Sequence, residues 1–296
     1  MVTVVEVGPR DGLQNDPADL TTAEKVALVT RVAAAGVRRA EVASFVNPRR
    51  VPKMADAEAV IADLPAVEGA SWIGLVLNEQ GFDRAAAVAG RIHEVNLVVV
   101  STDEFSQRNS GMPIAAMLDV VRTVVPRAVA AGLVPTVTLA ASFGCPFSGE
   151  VAVARTVELA EACADAGVVE IALADTIGVA VPADVTRRVS AVRSAVPASI
   201  GLRAHFHNTR NTGYANALAA LEAGVTALDA SLGGIGGCPF APKATGNIAT
   251  EDLVWMLERS GVDTGLDLDE LIRASEWLAE VRNLPTPGLL AKAGPF

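Results

Sequence analysis

The chain has 296 residues, enough to bury a large core without help from disulfides or metals. Apolar residues make up 51 % but aromatic residues only 4 %, which favours repeated, closely packed strand and helix units over an aromatic-rich sandwich. A formal charge of −10 without a long Lys/Arg block argues against nucleic-acid binding, and the Ala/Val runs are broken by Arg, Glu, Asp or Pro before reaching membrane-spanning length.

MVTVVEVGPRD at the start has no basic segment followed by an apolar signal, so cytoplasmic residence is the default expectation. Residues 3–7 (TVVEV) read as a strand, which GPRDGLQND breaks, and 22–35 as a helix stopped by Gly36. The alternation then continues: strand 38–46 and helix 55–64, strand 72–76 and helix 82–90, strand 94–100 and helix 113–131. It runs on through strand 134–140 and helix 149–166, strand 168–174 and helix 182–195, strand 201–206 and helix 212–223, strand 226–231 and helix 250–260. Eight strand–helix units in series predict an α/β fold, a (β/α)8 TIM barrel. AAAGV, AVAGR, AAGLV, ADAGV and LEAGV each set a glycine between a helix and the next strand, where positive φ is useful. A doubly wound sheet is the competing arrangement, but its dinucleotide glycine pattern is missing after the first strand. Residues 268–282 predict an additional C-terminal helix, and NLPTPGLLAKAGPF a loose end or a cover for a neighbouring surface. One catalytic domain over 1–296, with that helix and tail from about 268, is the natural division.

On a barrel, the C-terminal ends of the strands point to one mouth. Arg10 and Asp11 follow the first strand, Glu41 lies in the second, Asn78 follows the third, Asp175 the sixth, and His205 and His207 end the seventh. Alternation along a strand turns His205 and His207 to the same side, with Phe206 directed away. With Asp11, and with Asn247 after strand eight, they read as a site for a divalent ion or else as ordinary core histidines. Oxygen-rich ligation suits Mg2+ or Mn2+, whereas mixed imidazole and carboxylate ligands also admit iron, cobalt or zinc. Arg10 is either a turn ion-pair partner of Asp11 or a group that stabilises an enolate. Glu41 is either an interior ion-pair partner or a catalytic group; buried, it needs compensation in both cases.

The stretch GGIGGCPFAPKATGN holds a cysteine, Cys238, directly after four glycines in five residues. It reads as a structural loop or as the carrier of a movable thiol proton donor. Cys145 reads as pocket wall or packing, Cys163 as a buried helix residue, and His93 as a structural residue at a helix–strand junction. Arg108 and Asn109, after strand four, are substrate or phosphate contacts or else ordinary surface.

With EVGPRDGLQN, SFVNPRRVPKMAD, SFGCPFSGE, ADTIGVAVP, GGIGGCPFAP and GNIATEDLVWML in this order, the chain resembles the 3-hydroxy-3-methylglutaryl-CoA lyase family. That family belongs to a wider barrel group that includes isopropylmalate synthases. The resemblance implies a barrel that binds Mg2+ or Mn2+ through Asp11, His205 and His207, with Asn247 as a further ligand. It implies retro-Claisen cleavage of an acyl-CoA, with Arg10 steadying the enolate, Glu41 supporting the metal centre, His205 or Asp11 acting as base, and Cys238 supplying the final proton. Gln14, Asn78, Arg108, Asn109, Arg210 and Lys243 are the candidate substrate contacts alongside Arg10, and a homodimer is expected.

The chain departs from the family pattern in several places. Asn208 stands where an acid is usual, Arg210 where a tyrosine is usual, LVLN where LTPN is usual, and Lys243 at a glycine-like position. Arg210 is expected to contact a carboxylate or the CoA phosphates. The expected substrate is 3-hydroxy-3-methylglutaryl-CoA, with citramalyl-CoA or a longer branched 3-hydroxyglutaryl-CoA as alternatives.

Overall fold

Eight strands pair in parallel and close on themselves in the computed structural model, which describes residues 1–237 and 246–295. In chain order they are β1 (Thr3–Glu6), β2 (Arg39–Ser44), β3 (Ser71–Val76), β4 (Glu94–Val100), β5 (Val134–Ala140), β6 (Glu170–Asp175), β7 (Gly201–Phe206) and β8 (Ala227–Ala230). β1 pairs with both β2 and β8, which closes the (β/α)8 barrel. The helices that return the chain are α1 (Thr22–Ala34), α2 (Ala57–Asp63), α3 (Glu79–Ala86), α4 (Asp103–Ser110), α5 (Ile114–Ala130), α6 (Val153–Asp165), α7 (Pro182–Ala195), α8 (Gly213–Glu222) and α9 (Thr250–Arg259).

Alternation along the strands divides the two faces. On β4, Val95, Leu97 and Val99 join the large apolar core, while Asn96, Val98 and Val100 face the cleft at the mouth. The five junction glycines, Gly36, Gly90, Gly132, Gly167 and Gly224, all have positive φ, which lets each helix end and the chain turn into the next strand. α1 begins with a capping box: Thr21 accepts from the Glu24 amide, and the Glu24 carboxylate accepts from the Thr21 amide.

Several expected boundaries move. The segment after β4 is not plain loop; residues 103–110 form α4, ended by Gly111 in the left-handed region. The helix expected from 149 starts at Val153, because Gly144–Cys145 and Gly149–Glu150 pair as a short antiparallel ribbon. The helix expected at 82–90 runs over Glu79–Ala86, because Asn78 caps it by accepting from the Gly81 amide at 2.8 Å.

The extra C-terminal helix is α10 (Leu268–Arg282). Arg31 of α1 lies 4.5 Å from the centre of the Trp277 ring. Arg282 closes a bidentate ion pair with Asp16, both residues buried. The segment beyond it is ordered against α9. The amides of Leu289 and Leu290 donate to Asp252, and a last helical turn, α11, covers Leu290–Ala293. No helix among the described residues is long and apolar enough to cross a membrane.

At the closed end of the barrel, Arg39 bridges Glu94 and Glu170. His93 lies at this end and accepts from the Trp72 amide through Nδ1, a structural role as expected. Cys163 is fully buried on α6, and burial pushes its thiol up to about 12.

Candidate active site

After Val7 the chain makes one wide helical turn, Gly8–Gly12, in which the amides of Arg10, Asp11 and Gly12 all point at the Val7 carbonyl. The crowding around this turn accounts for its glycines. A Cβ on Gly8 would lie 2.6 Å from a Glu6 carboxylate oxygen, and one on Gly12 would lie 2.8 Å from Ile235 and Ser231. The turn sets Arg10 and Asp11 side by side at the mouth.

Arg10 donates from Nε to Glu41 at 2.5 Å and from Nη1 to Asp11 at 3.0 Å. Asn96 steadies the other Glu41 oxygen at 2.9 Å, so Glu41 is compensated on both sides. Asp11 receives Asn247 Nδ2 at 2.9 Å on its second oxygen. Burial works against the Asp11 carboxylate, but Arg10, His205 and His207 together hold it down to about 2.

The two histidines leave β7 on one face, with ring centres 5.1 Å apart. Phe206 between them turns into the apolar core, as strand alternation requires. Asn247 reaches the site because its segment pairs with the end of β7. His207 and Asn247 bridge, the Asn208 amide donates to Gly246, and the Ile248 amide donates to Phe206. Gly236 makes room for it, since a Cβ there would lie 2.6 Å from Asn247 Nδ2.

Asp11, His205 and His207 each offer a ligand atom, and these atoms all lie within 4.8 Å of one another. The state of two buried atoms, one of them on His207 itself, also fits a cation. Among the described residues, His207 Nδ1 and Asn247 Oδ1 are both buried without a hydrogen-bond partner, a costly condition that coordination would relieve. Burial and the neighbouring His205 push His207 down to about 4, so it stands as a neutral imidazole at pH 7. His205 is opposite in sense: burial opposes the charged ring, but Asp229 and Asp11 raise its proton affinity.

One cleft of about 830 Å³ opens over these groups, lined by Arg10, Asp11, Glu41, Asn96, His205 and His207 at its floor. Gln14, Asn78, Arg108 and Asn109 line it as well, so most of the residues expected from sequence meet in one place. Arg50, whose neighbours form a turn after β2, joins Arg108 on the wall. Arg108 also pairs with Glu104 and stacks on Phe147.

Arg210 is the exception. It is exposed, and its guanidinium caps the carbonyls of Ile177 and Gly178 at 3.1 and 2.7 Å, away from the cleft lining. The carboxylate of Asp175 likewise turns to local amides, those of Val179 and Ala180. Cys145 is buried beside Thr102 as a packing residue. Cys238 and Lys243 lie outside the described residues; Gly237, next to Cys238, lines the cleft.

Asp229 on β8 was not singled out from the sequence, although it lines the cleft and bonds His205. The signal was present in ALDA: a charged residue inside a short apolar strand, the same cue that marks Glu41.

Comparison with known proteins places the chain in a family. The chain is 44 % identical to the (R)-citramalyl-CoA lyase of Chloroflexus aurantiacus, over 99 % of this chain and 95 % of that protein. It is 36 % identical to a hydroxymethylglutaryl-CoA lyase of Bacillus subtilis, over 97 % of this chain and 95 % of that one. Among solved structures, an HMG-CoA lyase from Acinetobacter baumannii, in complex with coenzyme A and 3-methylmalate, superposes with a TM-score of 0.94. It is 39 % identical, and the match covers 99 % of this chain and 95 % of that one. With a sequence model of the HMGL-like family matching residues 1–278, the chain belongs to the HMGL-like family and is a lyase of that barrel group.

Proposed function

We propose that the protein cleaves 3-hydroxy-3-methylglutaryl-CoA to acetyl-CoA and acetoacetate by a retro-Claisen reaction that depends on Mg2+ or Mn2+. The observation that carries this reading is the convergence of Arg10, Asp11, His205 and His207 on one cleft floor, with Asn247 Oδ1 left unpartnered beside them. Citramalyl-CoA, which would yield acetyl-CoA and pyruvate, is the second reading, favoured by the 44 % identity to a lyase of that name.

Asp11, His205, His207 and Asn247 would hold the ion. When bound, it supplies a Lewis acid that lowers the cost of negative charge on the substrate's hydroxyl oxygen. The hydroxyl proton passes to Asp11, whose carboxylate oxygens keep lone pairs beside their bonds to Arg10 and Asn247, because His205 has one nitrogen on Asp229 and the other facing the ion. As the bond between the carbinol carbon and C2 breaks, its electron pair passes to the thioester as an enolate, and the carbinol carbon becomes a ketone. Arg10, aimed by Glu41, faces that charge. A proton from the Cys238 thiol to C2 completes acetyl-CoA, and solvent restores the thiol. At the outer rim, Arg50, Arg108 and Asn109 offer positive charge and amide groups to the CoA phosphates, with Lys243 a further candidate. A single catalytic domain, a cytoplasmic setting and a homodimer complete the reading.

The test is a panel of CoA esters with Mg2+ or Mn2+, with products followed by mass. Acetoacetate from the methylglutaryl ester supports the first reading; pyruvate from citramalyl-CoA, with the first ester inert, replaces it by the second. Cys238→Ala is expected to bind metal as the parent does while turnover falls by roughly 100-fold or more, the scale of losing a positioned proton donor. Unchanged turnover removes Cys238 from the reaction.

A further inference from the structure

Beneath His205 a chain of buried charges runs from the closed end of the barrel to the mouth. Arg39 of β2 bonds both oxygens of Glu170 on β6 at 2.8 Å. Glu170 ion-pairs with Arg203 Nε on β7 at 3.0 Å, and Arg203 Nη1 donates to Asp229 Oδ1 on β8 at 3.2 Å. The remaining Asp229 oxygen, Oδ2, lies 3.2 Å from His205 Nδ1. Arg203 is 1 % exposed and Asp229 5 %, so the series is screened little by solvent. Pairing of β7 with β8 places His205 opposite Asp229 and Arg203 opposite Ala227, so sheet register alone brings the side chains together.

We infer that Asp229 is the positioning residue of the metal centre: it holds His205 with the proton on Nδ1 and so presents Nε2 to the ion. The inference rests on the reading of Asp11, His205 and His207 as metal ligands. Asp229 acts through the histidine, because its two oxygens are taken by Arg203 and His205 and it lies outside the ligand cluster. Carboxylates placed in this way behind a histidine fix the tautomer and raise the basicity of the nitrogen facing the metal, and their loss costs about 10–100-fold in metal affinity. Arg203 in turn holds the other Asp229 oxygen, so that Oδ2 stays turned to His205.

The experiment is a Mn2+ titration of the metal-free protein, read by EPR, for the parent, Asp229→Asn, His205→Ala and the double variant. Asp229→Asn should weaken binding about 10–100-fold. In the His205→Ala background the same change should add less than about twofold, because the group it acts through is gone. An affinity unchanged by Asp229→Asn, or an equal further loss in that background, overturns the inference while leaving the metal site intact. Absence of Mn2+ binding by the parent overturns the metal site and the inference together. A second measurement needs no variant to fold: nitrogen NMR of the metal-free parent, labelled at its three histidines and held above pH 8. His205 should carry its proton on Nδ1, and a proton on Nε2 alone overturns the proposal.

Discussion

His207 and Asn247 both neighbour Asp11, and His207 Nδ1 and Asn247 Oδ1 are buried and without a hydrogen-bond partner among the described residues. Such atoms cost free energy in an empty site and gain it back on a cation. His207→Ala is therefore expected to weaken Mn2+ binding at least about tenfold, by the scale on which a lost ligand outweighs a lost outer contact. Isothermal titration of the metal-free protein checks this, and an unchanged affinity takes His207 off the ligand set. At this scale the strand rule was informative: with Phe206 sent into the core, the HxH pair had to share a face. The same rule reaches Arg203 and Asp229, whose places opposite Ala172 and His205 come from the register of β6, β7 and β8, which no single strand contains. Arg210 shows the opposite case. Its charge suggested an anionic substrate, but two carbonyls of the loop after β6 are nearer and already fixed.

Between residue and barrel, two buried acids shape the loop that leaves β8. Glu6 accepts from the amides of Gly8 and Leu232 and from the Thr250 hydroxyl, so it ties the Arg10–Asp11 turn to that loop. Glu251 accepts from the Gly233 amide and the Ser275 hydroxyl, tying the same loop to α10. Burial pushes each acid from 4.5 up to about 7. Because the folded pKa is the higher one, their stabilising contribution is full below about pH 4.5 and is lost as the pH rises through about 7. On the order of 3.5 kcal/mol each is involved, at about 1.4 kcal/mol per pH unit between 4.5 and about 7. Glu6→Gln and Glu251→Gln keep one acceptor and one donor, so each should flatten the fall of Tm between about pH 5 and 8. Calorimetry across that range checks it, and a slope identical to the parent's would show that neither acid titrates there. The helix α4 was missed in the sequence because DEFSQRNS is polar with a weak apolar stripe; only Phe105 and Ser106 are buried, and packing over the mouth makes it a helix.

Across the whole molecule, the C-terminal helix is bound to the segment that carries Arg10 and Asp11. Arg282 and Asp16 meet with side chains 5 % and 2 % exposed, joining the end of α10 to the loop that follows Asp11. Arg282→Met leaves a buried carboxylate without its partner, which should cost about 3–5 kcal/mol. A denaturant midpoint shifted by less than 1 kcal/mol equivalent would mean that Asp16 finds another partner or takes up a proton. What the sequence determined by itself was the order of the eight barrel strands and of the helices between them other than α4, the turning glycines and the face on which each strand residue sits. These follow from periods of 2 and 3.6 residues and from local φ, which neighbours along the chain dictate. Only the tertiary structure decided which polar groups share a hydrogen bond: Asp11 with Asn247, Asp229 with His205, Arg282 with Asp16. Those partnerships depend on barrel closure and strand register, because residues far apart in sequence become neighbours only when β1 meets β8 and the last helix folds back over α1.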